Sequence, residues 1–201
     1  MSKGAKVGLI VLVVLVILVL IGYASIKNMY NNFVTLDEGV KQSWSQVQNV
    51  YQRRLDLIPN LVSTVKGYAA HEKETLQGVT EARSKMGGVM QLKAEDLTPE
   101  NLAQFQQAQA GLGAALQRLM VVVERYPDLK ANQNFIRLQD ELAGTENRIA
   151  VERRRFNEAV QKYNETIRKF PNMIFAGMFG FTQKAYFEAA EAAQEAPKVE
   201  F

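Results

Sequence analysis

Residues 7–26 read VGLIVLVVLVILVLIGYASI and contain no charged side chain. As an α-helix rising about 1.5 Å per residue, this run is about 30 Å long, which matches the hydrocarbon core of a bilayer. Two lysines, Lys3 and Lys6, precede it in a short N-terminal flank of residues 1–6. The sequence therefore predicts a transmembrane helix over residues 7–26 and a protein held in the membrane by that one helix.

A cleaved signal peptide is the alternative to a retained anchor, because it also places basic residues before an apolar stretch. Gly22, Ala24 and Ser25 offer small residues near a cleavage point. The apolar run is, however, longer than the ~7–15 residues of a signal-peptide core, which favours the anchor. The sequence contains no cysteine, so acylation of a cysteine cannot supply the attachment.

The orientation of the anchor depends on the lysines and arginines at its two flanks. The short side carries Lys3, Lys6 and the terminal amine, whereas the long side offers Lys27 and Lys41. Because positive flanks stay in the cytoplasm, this balance favours an extracytoplasmic position for the rest of the chain.

The net charge of the remaining chain limits the classes of partner that it is expected to bind. Of 24 basic residues, two lie in the N-terminal flank, which leaves 22 against 21 acidic residues. A nucleic-acid-binding protein needs a basic face to neutralise phosphates, and this near-neutral balance argues against one. We therefore expect no nucleic-acid partner.

Apolar residues after the anchor recur at spacings of three and four, as on one face of a helix. No cluster of glycine and proline separates them from residues 7–26, so the anchor is predicted to continue as one long helix. Pro59 removes a backbone donor and predicts a kink in that helix. The apolar positions are Phe33, Leu36, Val40, Trp44, Val47, Tyr51, Leu55 and Ile58.

Two further long helices follow. Thr98 is a predicted N-cap with Pro99 in the first helical position, and an apolar heptad continues until Pro127 ends the helix. The next predicted helix spans Leu129 to Phe170. The fold class is therefore all-α: a single transmembrane helix that continues into an elongated antiparallel bundle of three long helices, over residues 27–170, plus a short C-terminal helix.

The C-terminal region differs in composition. Residues 171–195 are predicted as an apolar, glycine-rich loop and a short helix from Gln183 to Gln194, followed by a tail of residues 196–201. Within it, residues 173–181 form either a loop over the end of the bundle or a contact surface for another subunit, a partner or lipid. The candidate interaction residues are Phe175, Phe179 and Phe181.

Val199 and Phe201 end the chain as a hydrophobic-x-hydrophobic tail with a free carboxylate. Such an end can add to the edge of a β-sheet in a partner protein, and a disordered terminus is the alternative. These two residues are the other candidate interaction residues.

The residues needed for catalysis are sparse. His71 is the sole histidine, and Thr75 stands where a metalloprotease helix needs its second metal-binding histidine. There is no glycine-rich phosphate loop of the P-loop or dinucleotide type. The sequence therefore predicts no catalytic residue, no metal site and no cofactor, and we expect a protein that is not an enzyme.

One polar cluster has two interpretations. Pro59, Asn60, Glu146 and Arg148 are candidates for a buried polar layer beside the kink that fixes the register of the helices. The alternative is a solvated helix face with surface salt bridges, each contributing only a few tenths of a kcal/mol.

Several strings together resemble the bacterial LemA family, over roughly residues 28–188. The resemblance implies a single-pass membrane protein with a long helical bundle, and it implies no agreed biochemical activity. The strings are Trp44, Arg53–Val62, Val65–Tyr68, His71-Glu72, Ala82–Ser84, Tyr126–Asn132, Leu138-Gln139, Thr145–Ala150, Arg154, Phe156-Asn157, Val160, Tyr163-Asn164, Phe170-Pro171 and Gly180-Phe181.

We expect a scaffold or adaptor in the bacterial inner membrane that assembles with copies of itself. Its expected partners are the lipid bilayer, further copies of the chain, and a membrane protease or envelope complex that takes the C-terminal tail. A membrane-tethered ligand-sensing or signalling module with a polar site near Asn60 and Arg148 is the alternative.

Overall fold

The structure is a computed structural model that describes residues 3–188, apart from the side chains at positions 3, 5 and 6. The described chain contains helices and no strand, which confirms the all-α prediction. The helices are α1 (Lys3–Tyr68), α2 (Lys73–Val89), α3 (Pro99–Val123), α4 (Pro127–Lys130), α5 (Gln133–Arg168) and α6 (Asn172–Met178), with a 3₁₀ turn at Ala94–Asp96.

Helix α1 is 66 residues long and joins the apolar run to the core of the protein without a break. Side chains of the apolar run are exposed throughout, for example Leu12 and Leu18 at 59% each. Over the part of the chain that the structure describes, one helix is long and apolar enough to cross a membrane, and it is α1. The predicted continuation of the anchor into a long helix is confirmed.

The chain divides into two compact units. Of the described residues, the first contains those up to Gly39 with Gln161–Gln183, and the second contains Val40–Val160 with residues 184–188. Helices α1 and α5 contribute to both units.

The core of the second unit forms around Trp44. Its indole ring lies 5.3 Å from the Phe105 ring of α3 and 5.6 Å from the Phe156 ring of α5, measured between ring centroids. Phe187 stacks on the same indole at 6.0 Å. Seven of the eight predicted stripe residues in α1 are buried, and Leu36 is half-buried.

The turn after α2 is held against α1 by side-chain donors. The indole N–H of Trp44 donates to the Leu92 carbonyl at 2.8 Å, and the Gln48 amide donates to the Met90 carbonyl at 2.8 Å. Helix α2 packs against α3 and buries Leu76, Val79 and Met86. The second unit therefore contains α2 as a further packed helix beside α1, α3 and α5.

Local signals account for two helix starts. The Thr98 hydroxyl accepts the Asn101 N–H at 3.2 Å, with Pro99 in the first helical position, so the predicted cap of α3 is confirmed. Asn132 caps α5 in the same way by accepting the Phe135 N–H at 3.1 Å.

The first unit contains α6, and glycine decides how this helix ends. Gly180 has a φ of +78°, a left-handed conformation that glycine adopts without steric cost. The Phe181 N–H donates to the Ala176 carbonyl at 2.9 Å and the Gly180 N–H donates to the Gly177 carbonyl at 3.3 Å. These two bonds form a Schellman motif, which closes α6 and turns Phe181 back towards α1.

The structure corrects several boundaries. Residues 172–178, expected to be loop, form α6, while residues 183–188, expected to begin a helix, are not helical; the remainder of that helix lies outside the described residues. The predicted helix from Leu129 to Phe170 corresponds to α5, which begins at Gln133 and ends at Arg168, and Phe170 beyond it is 80% exposed.

The Trp44 cluster gives the first testable prediction. We expect Trp44→Ala to lower the free energy of unfolding by about 3–5 kcal/mol, because it empties the space between three aromatic rings. Val121→Ala is the control, since Val121 is 69% exposed and truncation there is expected to change stability by less than about 0.5 kcal/mol. Urea unfolding of the full-length protein in detergent measures both. Equal losses of unfolding free energy in the two variants would contradict the central role of Trp44 in the core.

Candidate functional site

The aromatic C-terminal segment, residues 170–181, packs on α1 within the first unit. The ring of Tyr30 lies 5.1 Å from that of Phe179 and 5.9 Å from that of Phe181, both edge to face. Phe181 also contacts Phe33 at 5.3 Å, and the Tyr163 hydroxyl donates to the Thr182 carbonyl at 2.9 Å. Edge-to-face geometry is favourable for aromatic pairs and fixes the segment on α1.

The candidate interaction residues are therefore only partly available. Phe175 and Phe181 are half-buried, and Phe179 is 40% exposed. The more exposed apolar side chains of the segment are Phe170, Met173, Ile174 and Met178. Val199 and Phe201 lie outside the described residues.

The predicted polar layer has different members in the structure. Asn60 and Arg148 are exposed, as are Pro59 and Glu146, so the prediction that these four residues form a buried layer is wrong. Arg54 is the buried charge instead, at 7% exposure, and its Nη1 lies 2.8 Å from Glu146 Oε2. The two groups form an ion pair without an aligned hydrogen bond from Nη1. A half-exposed carboxylate of α5 thus neutralises a buried cation of α1.

Tyr51 lies in the same polar cluster. Burial raises the pKa of the Tyr51 hydroxyl to about 12, although the positive charge of Arg153 opposes that shift. The negative charge of Glu146 also raises this pKa, and the positive charge of Arg54 lowers it. The cluster therefore joins α1 to α5 through Tyr51, Arg54, Glu146 and Arg153.

A sequence signal for this cluster exists. Arg54 is seven residues from both Val47 and Leu61, so it occupies a position on the apolar stripe of α1. The α5 stripe advances by sevens from Leu142 to Ile149 to Phe156, and Glu146 and Arg153 stand at the intermediate positions. Polar residues at stripe positions identify the layer, whereas proximity to Pro59 does not.

Pro59 has a specific hydrogen-bonding consequence. Proline has no N–H, so the carbonyl four residues earlier, that of Leu55, loses its partner in the helix. The Arg83 side chain of α2 donates its Nε–H to this carbonyl at 3.0 Å. Helix α1 continues through Pro59 to Tyr68, and the proline thereby creates an attachment point for α2.

The two helix connections of the second unit are bonded to each other. Glu72, before α2, accepts the Tyr126 hydroxyl at 3.1 Å and pairs with Arg125 at 3.0 Å. Asn132, which caps α5, donates to the Tyr68 hydroxyl at 2.9 Å. These bonds join the α1–α2 turn to the turns that flank α4.

The described residues of the second unit line several clefts, of which two contain charged side chains. One of about 720 Å³ lies between α2 and α3 and includes Glu74, Glu81 and Arg118. A second of about 390 Å³ is lined by Arg54 and Glu146 with Leu116 and Leu142. His71 is exposed, and the described residues contain no group of three side chains that could hold a metal ion.

The amino-acid sequence was compared with those of known protein families and proteins. The model of the LemA family matches residues 43–201. The chain belongs to the LemA family. Magnetosome protein MamQ 1 of Paramagnetospirillum magneticum is 30% identical over 188 residues, covering 84% of this chain and 68% of the relative. Protein LemA of Metamycoplasma hominis is 26% identical over 152 residues, covering 76% of this chain and 65% of the relative.

Several of the strings that resemble the LemA family contact each other in this chain. Arg53–Val62 meets Ala82–Ser84 through the bond from Arg83 to the Leu55 carbonyl. His71-Glu72 meets Tyr126–Asn132 through the Tyr126 hydroxyl. The strings therefore correspond to points at which one helix or turn is attached to another.

The bond between Arg83 and the proline-freed carbonyl gives a second prediction. We expect Arg83→Met to lower the free energy of unfolding by about 1–3 kcal/mol, since it removes a charged donor and leaves a carbonyl unpaired. In a Pro59→Ala background the same change should cost less than about 1 kcal/mol, because an alanine at position 59 supplies the missing N–H. Urea unfolding of the unmodified protein, the two single variants and the double variant gives the coupling free energy between Arg83→Met and Pro59→Ala.

Lys85→Met is the matched control, as it removes an exposed cation two positions along α2. Its expected effect is below about 0.5 kcal/mol in both backgrounds. An Arg83→Met cost that is independent of residue 59 would contradict the compensation.

The Arg54–Glu146 pair gives a third prediction. Glu146→Gln should lower the free energy of unfolding by about 1–3 kcal/mol, because the buried guanidinium loses its counter-charge. Glu158→Gln removes the partner of Arg154 from a pair whose side chains are 72% and 67% exposed, and its expected cost is below about 0.5 kcal/mol. Thermal and urea unfolding compare the two variants. Equal costs would show that the Arg54 pair is an ordinary surface pair.

Proposed function

We propose that this LemA-family protein is a membrane-anchored scaffold or adaptor of the bacterial inner membrane that acts through contacts and not through catalysis. Its helical body assembles with further copies, through the long helices and the segment of residues 173–181. The C-terminal tail, with Val199 and Phe201, serves as the attachment point for a membrane protease or another envelope complex. The body stands on the extracytoplasmic side, as the flanking lysines favour.

The single observation that carries this proposal is the uninterrupted helix α1. It passes from exposed apolar residues 7–26 directly into the buried stripe that begins at Phe33. A flexible tether would allow a domain to diffuse near the membrane, whereas a continuous helix holds each residue of α1 at a defined distance along the helix axis. Such an arrangement suits a protein that positions other molecules.

The relatives support a role in the cell envelope. MamQ is named as a magnetosome protein, and neither that name nor the LemA family name is an enzyme name. From these relatives we infer for this chain only an association with a membrane and its assemblies.

A ligand-sensing or signalling module is the second candidate function. The 390 Å³ cleft beside the buried Arg54 favours it, because a guanidinium can hold a carboxylate or phosphate with paired hydrogen bonds. This site lies at Arg54 and replaces the candidate at Asn60 and Arg148, which are exposed.

Native mass spectrometry of the full-length protein, gently extracted from its own membrane, tests the proposal. We expect a series of whole multiples of the 22.6 kDa chain, with a second polypeptide bound when the tail is intact. Deletion of residues 198–201 should remove that polypeptide and leave the multiples unchanged. This truncation is also the control for assembly, because it leaves the described helices intact.

Other masses would contradict the scaffold. A single chain without any bound polypeptide would exclude both self-assembly and the adaptor role. A small additional mass that disappears in Arg54→Met would instead support the sensing module.

A further inference from the structure

The aromatic C-terminal segment presents apolar side chains that are exposed among the described residues of the first unit. From Phe170 to Gln183 the sequence contains no charged residue. Met173, Ile174 and Met178 are 57%, 52% and 73% exposed, whereas Ala176 is buried. At 100° per residue the three exposed positions share one face of α6, and Ala176 lies on the opposite side. Phe170, just before α6, adds a further side chain that is 80% exposed.

The contacts of this segment fix its distance from the membrane span. The Tyr163 hydroxyl donates to the Thr182 carbonyl, and the neighbouring Phe181 ring contacts Phe33 and Tyr30 of α1. Residues 163–182 therefore turn back on themselves, and their end lies beside Tyr30 and Phe33, close to the end of the apolar run.

Tyr30 is four residues after Ile26, which places it about 6 Å along the helix axis from the end of the apolar run. The polar headgroup layer on each side of a bilayer is about 5–8 Å thick. With residues 7–26 spanning the hydrocarbon core, Tyr30 and the Phe179 ring packed 5.1 Å from it are expected at the level of the headgroups.

We propose that α6 lies in the interface of the same bilayer that α1 crosses, with Met173, Ile174 and Met178 inserted among the lipid chains just below the headgroups. The occupant of this apolar face is lipid, because the face lies within the depth to which interfacial helices insert, about 5–10 Å. The inference rests on the membrane anchoring in the proposed function, and because it assigns Met173, Ile174 and Met178 to lipid, self-assembly then depends on the long helices.

The surrounding side chains have the chemistry of an interface. Tyr23 and Tyr30 are exposed at 68% and 42%, and amphipathic aromatic rings concentrate at the headgroup level. Lys27 and Arg168 are exposed cations near the two ends of this contact, where they can pair with anionic phosphates. The protein would thus hold the bilayer at two places, the span and α6.

The sequence has no cysteine, so single-cysteine spin labelling of the full-length protein tests this directly. Met178→Cys, Leu15→Cys and Val121→Cys each carry one nitroxide after reconstitution into vesicles of phosphatidylcholine and phosphatidylglycerol. Val121 is the matched control, because its 69% exposure is close to the 73% of Met178 but it belongs to the second unit. Collisions of each label with oxygen and with a water-soluble nickel complex report whether it lies in lipid or in water.

We expect the Met178 and Leu15 labels to collide severalfold more often with oxygen than with the nickel complex, and the Val121 label to show the reverse. A Met178 label accessible to nickel while Leu15 is protected would overturn the lipid contact and leave the anchor intact. A Met178 label shielded from both reagents, with spectral broadening that vanishes on dilution with unlabelled protein, would assign the face to a second copy. A Leu15 label in water would contradict the anchor itself and hence the proposed function.

Discussion

Contacts of Trp44 hold the second unit together, because this one side chain meets almost every element of it. Its ring touches Phe105 on α3, Phe156 on α5 and Phe187 in the non-helical residues 183–188, and its N–H is bonded to the turn after α2. A tryptophan ring buries more apolar surface than an aliphatic side chain, and its indole N–H can also donate a hydrogen bond. Helix α1 can therefore act as the central element on which the shorter helices are arranged.

The polar residues of the protein mostly satisfy groups that the helical pattern leaves open. Arg83 bonds to the carbonyl that Pro59 releases, and Glu146 neutralises the Arg54 charge that lies on an apolar stripe. Asn157 accepts the Phe187 N–H and donates to the Phe187 carbonyl, both at 2.9 Å, and so fixes a segment that has no helix of its own. Unpaired buried groups are costly, so each such bond also specifies which surfaces meet.

The sequence was sufficient for the fold class and for most of the core, because helical periodicity is a local signal repeated over many residues. The stripe of α1 and the Thr98 cap both follow from residue spacing. Partners across helices were not predictable in this way. Proximity to the kink at Pro59 predicts a role for Asn60 and Arg148, but both are exposed, and only packing shows that Arg83 reaches the Leu55 carbonyl. The glycines of residues 173–181 suggested a broken loop, whereas Gly177 is tolerated within α6 and Gly180 ends it with a positive φ.

Polar and apolar side chains differ in how far they are already engaged within the protein, and this difference is relevant to its function. In an enzyme, polar groups converge on a cavity and await a substrate. In the part of this chain that the structure describes, the polar groups of the central clusters are engaged with one another, and α6 turns apolar side chains outward. Apolar side chains that are exposed beside the aromatic rings attaching this segment to α1 are suited to contact with another surface. This exposed apolar face agrees with the proposed role, in which the protein works through contacts.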